Sequence, residues 1–132
     1  KMSRSNLLSC VEDRLKKLAA ELNRARLPGV RFVPVRFTPT ASVFKDKNCG
    51  GVSIILTDRD HCPVVDIGLT LALALQRLYP NEFALEKMQT LLQSRATLDA
   101  IKAGKSLAEI KQGWAAELGA FQKRREPFLL YR

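Results

Sequence analysis

Thr57-Asp58-Arg59 is the stretch of this sequence best equipped to hold an anion. It follows an apolar run that reads as a strand, and strand ends are where binding loops collect. An arginine there can grip a carboxylate or phosphate through two parallel hydrogen bonds. The competing reading is an Asp58–Arg59 ion pair that pins the loop. Asp46, Asp58, Asp60 and Asp66 all fall near loops, and a glycosidase needs two carboxyl groups about 5 to 9.5 Å apart. Turn formation and helix N-termini also place acids at such positions. His61 is the single histidine, without the second histidine or cysteine cluster of a metal site, and reads as a loop residue. Cys10, Cys49 and Cys62 are odd in number and lack chelating spacing, so they read as small buried thiols. Gly50-Gly51 has neither dinucleotide-loop spacing nor the lysine of a phosphate loop. No metal and no nucleotide cofactor is expected.

These residues need elements to position them. Leu8, Val11, Leu15, Leu18 and Leu22 recur at spacings of three and four, the stripe of a helix with one buried face. Ser5 is its candidate cap, and Leu27-Pro28-Gly29 its stop. Val30 to Phe37 is rich in β-branched and aromatic residues, with Pro34 demoting it to an edge or bulged strand. Thr38 to Asn48 reads as a loop. Cys49-Gly50-Gly51 allows a sharp turn or a close approach to another group, and Val52 to Thr57 has the composition of a central strand. Asp58 to Cys62 is a polar connection, and Pro63 opens an apolar helix reaching Leu78, predicted to be the most buried.

Beyond Tyr79-Pro80, Asn81 is a candidate cap for a short helix carrying Phe83, Leu85 and Met88. Another short helix covers Leu98 to Ala103 and closes at Gly104. Ser106-Leu107-Ala108-Glu109 has the pattern of a capping box, and Leu107, Ile110, Trp114, Leu118 and Phe121 form the next apolar stripe. The apolar tail Pro127 to Tyr131 is expected to dock on the body as an edge strand. The fold class is therefore α+β, a small mixed or antiparallel sheet packed with about four to five helices in a single domain covering residues 1–132.

Composition agrees with a folded chain. Of 132 residues, 46% are hydrophobic and 27% charged, far from the composition that keeps a chain disordered. The longest apolar stretch, Ile67 to Leu75, falls well short of the roughly 20 residues that cross a bilayer. A net charge of +9 favours polyanions such as nucleic acid, wall polymers or acidic surfaces. A stand-alone polyanion-binding or protein-interaction module is the alternative that this charge suggests.

In order along the chain, Leu27-Pro28-Gly29-Val30, Phe37-x-Pro39, Cys49-Gly50-Gly51-Val52, Thr57-Asp58-Arg59, Pro63-Val64, Leu78-Tyr79-Pro80 and Leu129-Leu130-Tyr131 resemble the C-terminal domain of the NamZ-type exo-β-N-acetylmuramidase family. The resemblance runs from about Leu15 onward. It implies a chain that is not catalytic alone, because the family's catalytic glutamate belongs to an N-terminal Rossmann-like domain and the substrate cleft lies between the two. It also implies the partners: that N-terminal catalytic domain and peptidoglycan fragments ending in N-acetylmuramic acid, in a parent enzyme of the cell envelope. A separate reading is an interaction domain whose exposed apolar wall pairs two copies as a homodimer when the catalytic half is missing. Loops Thr38 to Gly51 and Asp58 to Cys62 would then face the cleft. Lys45, Asp58 and Arg59 become the candidate substrate-binding residues, Lys45 and Arg59 drawing the lactyl carboxylate. Cys62 departs from the family, which usually has an aromatic residue there, and Lys1 to Asn6 has no familiar counterpart.

Overall fold

The computed structural model describes the backbone of residues 4–131 and the side chains of residues 13–131. The candidate cap Ser5, the stripe positions Leu8 and Val11, Cys10 and the segment Lys1 to Asn6 lie outside the described side chains. The elements run α1 (Arg4–Arg24), β1 (Val30–Phe37), β2 (Cys49–Leu56), α2 (Val64–Leu78), α3 (Gln89–Leu92), α4 (Arg95–Lys102) and α5 (Leu107–Arg125). Turns of 3-10 helix occupy Leu85–Met88 and Glu126–Phe128. Five helices and one two-stranded antiparallel sheet, among the described residues, make the chain α+β. The backbone gathers into two compact units, one ending at Pro80 and the other starting at Asn81.

In the first unit, Leu18 and Leu22 of α1 meet Phe32 of β1 and Ile67 and Ala74 of α2, with Val52 and Leu71 beside them. Leu22 is wholly buried. The two helices are also tied by polar contacts. Arg77 pairs with Glu21, the Tyr79 hydroxyl donates to the Arg14 carbonyl at 2.9 Å, and the Arg14 guanidinium lies 4.5 Å from the Tyr79 ring centre. The α2 helix carries five buried residues, more than any other helix among the described residues, as its apolar sequence predicts.

Strand pairing runs from Val30↔Leu56 to Phe37↔Cys49 without a bulge. Pro34 is accommodated by the phase of the ladder. Phe32 takes both its backbone bonds from the Asn23 side chain, its N–H donating to Oδ1 at 3.0 Å and its carbonyl accepting from Nδ2 at 2.7 Å. Antiparallel pairs alternate between bonded and non-bonded, so Phe32 and every second residue, Pro34 included, turn their backbone groups away from β2. The missing proline N–H therefore removes no ladder bond.

Two expectations about β2 change. The Gly50-Gly51 pair lies inside the strand rather than at a turn; the close approach is what needs a glycine, since a Cβ on Gly50 would sit 2.6 Å from the Leu15 side chain. Nor is β2 central, because β1 is its sole partner strand among the described residues. Ile54, Ile55 and Leu56 consequently remain 49%, 44% and 50% exposed.

Local signals organise the second unit. Ser94, not singled out by the sequence reading, caps α4 by accepting the Thr97 N–H. At the other end Gly104 takes φ +69°; its N–H reaches the Ile101 carbonyl and the Lys105 N–H reaches that of Ala100, each at 3.0 Å. That pair of bonds is the Schellman ending which glycine permits. The capping box of α5 forms in both directions between Ser106 and Glu109. Trp114 donates its indole N–H to the Thr97 hydroxyl at 3.0 Å, and Leu85, Leu98, Ile101 and Ile110 are buried.

Three expectations fail here. Asn81 caps nothing: the 3-10 turn begins at Leu85, four residues on, without a side-chain cap. The α5 stripe is covered only in its first half, for Leu118 and Phe121 are 51% and 50% exposed. At 1.5 Å per residue the helix is about 28 Å long and α4 about 12 Å, so α5 outruns its neighbour. The tail forms no strand; Pro127 sits in a 3-10 turn, and Phe128, Leu130 and Tyr131 stay largely exposed.

Candidate functional site

The connection that carries Asp58 and Arg59 is built on Gly29. As the chain leaves β2, the N–H groups of Thr57 and Asp58 both donate to the Gly29 carbonyl, at 2.9 and 3.2 Å. Gly29 has φ +70°, and a Cβ there would lie 2.2 Å from the Asp58 carbonyl oxygen. Only glycine meets both the backbone angle and the clearance. The glycine that reads as a helix stop therefore seats the candidate loop, while α1 ends earlier, through Arg26 at φ +49°.

Asp58 completes the loop from within. Its Oδ1 accepts the N–H groups of Asp60 and His61 at 3.0 and 3.4 Å, and its Oδ2 lies 2.8 Å from His61 Nδ1. The His61 ring holds the Asp58 carboxyl below its ordinary 3.8; burial opposes this, and the two backbone donors add to the lowering. A general acid working near neutral pH requires the opposite shift. So Asp58 serves as a loop brace, paired with His61 and not with Arg59. No sequence signal marked His61 for that role beyond its three-residue spacing from an aspartate, which suits a turn.

Arg59 is exposed, and no ion pair engages it among the described residues. The loop is thus fixed by backbone and Asp58 contacts while its guanidinium projects from it uncommitted. Lys45 is also exposed, in a loop closed by Asp46 N–H to the Pro39 carbonyl at 2.9 Å and Lys45 N–H to the Ser42 carbonyl at 3.1 Å. The register sets these two loops at opposite ends of the hairpin, one beyond Phe37↔Cys49 and the other beyond Val30↔Leu56. The seven steps between the eight paired residues, at about 3.3 Å each, make roughly 23 Å between their points of attachment along the strand. Lys45 and Arg59 are two separate candidate contacts, not one cluster. Of the remaining acids, Asp46 shares the Lys45 loop, Asp60 gives its amide to Asp58, and Asp66 lies in the first turn of α2.

Comparison with known proteins identifies the family of the chain. The family described as exo-β-N-acetylmuramidase NamZ, C-terminal, matches residues 12–131. The peptidoglycan β-N-acetylmuramidase NamZ of Bacillus subtilis (strain 168) is 32% identical over 118 residues, which cover 87% of this chain and 28% of that protein. A crystal structure of a DUF1343 family protein from Bacteroides fragilis shares the fold with a TM-score of 0.57 at 21% identity, over 89% of this chain and 33% of that one. The chain spans about a third or less of the proteins it matches, and it belongs to the NamZ exo-β-N-acetylmuramidase C-terminal family.

Proposed function

We propose that residues 1–132 act as the C-terminal auxiliary domain of a peptidoglycan exo-β-N-acetylmuramidase of the cell envelope, forming one wall of the substrate cleft and hydrolysing nothing alone. The observation that carries this reading is the braced Thr57–Cys62 loop with its uncommitted Arg59. A terminal N-acetylmuramic acid bears a lactyl carboxylate, and a planar guanidinium on a fixed loop matches it with two parallel bonds at little ordering cost. Lys45 supplies a second, independent positive charge at the other end of the hairpin. The depressed Asp58 carboxyl supports a structural role there, leaving the chemistry to a carboxyl group of the preceding catalytic region.

The test joins this chain behind the region of the B. subtilis relative that it does not cover and follows release of muramic acid from a muramic-acid-terminated disaccharide. A hydrogen bond to a charged group contributes about 1.5–3 kcal/mol. Arg59→Ala is therefore expected to raise KM by roughly tenfold or more, and Arg59→Lys by less. Hydrolysis by the 132-residue chain alone, or an Arg59→Ala protein with unchanged KM, counts against the proposal. Tight, salt-sensitive binding of nucleic acid by the chain would favour the polyanion reading suggested by its +9 charge.

A further inference from the structure

Resting on that place at the C-terminal end of a muramidase, we propose that the open edge of β2 pairs with an extended segment of the region preceding this domain in the parent enzyme. The phase of the ladder identifies the groups involved. Because Phe32 spends its backbone bonds on Asn23 and faces Ile54, the Phe32↔Ile54 pair is a non-bonded one. On β2, then, Gly50, Val52, Ile54 and Leu56 point their N–H and C=O groups away from β1. No described residue hydrogen-bonds to them there.

The two edges of this hairpin are not alike. On β1 the outward groups are closed at Phe32 by the Asn23 amide, and the outward N–H is missing at Pro34, devices that discourage further pairing. On β2, Cys49–Leu56 contains no charge and no proline. Its large side chains are apolar on both faces. Val52 faces the core, and Ile55, opposite Arg31 with Val33 as its diagonal neighbour, lies on the other face. A free strand edge that leaves Ile54, Ile55 and Leu56 half exposed is a template for pairing with another strand.

What occupies the edge follows from the relatives. This chain spans 28% of the B. subtilis protein and 33% of the B. fragilis one, and the family it matches is the C-terminal one. Most of each relative therefore precedes the matched part and is available to supply the strand. Strand addition fits such an edge, with backbone bonds giving the affinity and alternate apolar side chains the register.

Amide exchange read residue by residue tests this. In the isolated, dilute chain, Val52, Ile54 and Leu56 are expected to exchange fast and Ser53 and Ile55 slowly. Once the chain is joined behind the upstream region of the B. subtilis relative, the three fast amides are expected to slow by at least about 100-fold. Ile54→Pro should keep the hairpin, as Pro34 does in β1, yet return Val52 and Leu56 to fast exchange; Ile54→Lys should do so more mildly. A joined polypeptide that releases muramic acid while those amides stay fast overturns this inference and leaves the proposed function intact. One that neither releases muramic acid nor protects the amides overturns both. Protection that rises with the concentration of the isolated chain assigns the edge to a second copy and also overturns it. In the full-length B. subtilis protein, the stretch aligned with Gly50–Leu56 should exchange slowly throughout, and persistent alternation there counts equally against the proposal.

Discussion

The first compact unit is held by partners distant in sequence, the second by partners a few residues apart. Tyr79 reaches Arg14 across 65 positions, Glu21 reaches Arg77, and the hairpin closes through Val30↔Leu56. In the second unit Ser94 binds Thr97, Ser106 binds Glu109 and Arg95 lies 3.2 Å from Asp99, with Trp114–Thr97 as a longer tie across 17 positions. Short-range bonds constrain a chain before it has folded; long-range ones are realised only once it has. The candidate loop belongs to the first kind of unit, so it depends on the core beneath it.

That contrast can be broken first at the core. Leu22→Ala removes a fully buried side chain and should destabilise the first unit by about 2–5 kcal/mol, read as a lower urea midpoint. A loss under about 1 kcal/mol would mean that α1 is not the keystone of this core. Gly29→Ala comes next, because it combines a left-handed backbone angle with a Cβ 2.2 Å from the Asp58 carbonyl. It should cost about 1–2 kcal/mol for the angle alone and in addition dislodge Thr57–Cys62, seen as new chemical shifts for Asp58 and His61. Unmoved shifts would show that the loop does not rest on Gly29.

Smaller effects sharpen the second unit. Ser106→Ala deletes the capping box and should lower stability by about 1 kcal/mol, with the loss of helicity confined to the start of α5. Acid should act more gently still. Lys102 holds the Glu86 carboxyl below its usual range, as the Ser106 hydroxyl and amide do for Glu109 and the His61 ring for Asp58. A depressed carboxyl contributes stability above its unfolded value and loses it as pH falls through the folded one. Thermal midpoints should thus be flat from pH 7 to about 5 and decline below the ordinary values of 4.5 and 3.8. Glu86→Gln should flatten that decline slightly, and an equally steep profile in the variant would remove Glu86 from the account.

Legibility followed the same division. The capping box, the Gly104 helix ending and the buried α2 could be read in advance because each depends on residues a turn or two apart. Asn81 misled because a good capping residue does not oblige a helix to start beside it. At the site, Arg59 could be singled out as an anion-binding type. Its freedom from Asp58 could not, since the pairing of Asp58 with His61 arises from the turn that Gly29 enforces. The apolar tail and the far half of α5 were expected to be covered, because apolar residues in water are costly, and the described chain leaves them exposed.

The amino-acid sequence by itself determined the α+β class, the boundaries of the main helices and strands to within a few residues, the family and the cationic loop. Those follow from periodicity, capping chemistry and residue type, which act over short distances. Only the tertiary structure decided that Lys45 and Arg59 stand at opposite ends of one hairpin, that Asn23 closes the β1 edge, and that β2, whose large side chains are apolar on both faces, has an open edge. Strand register and backbone phase are collective properties of paired chains, and no residue carries them alone.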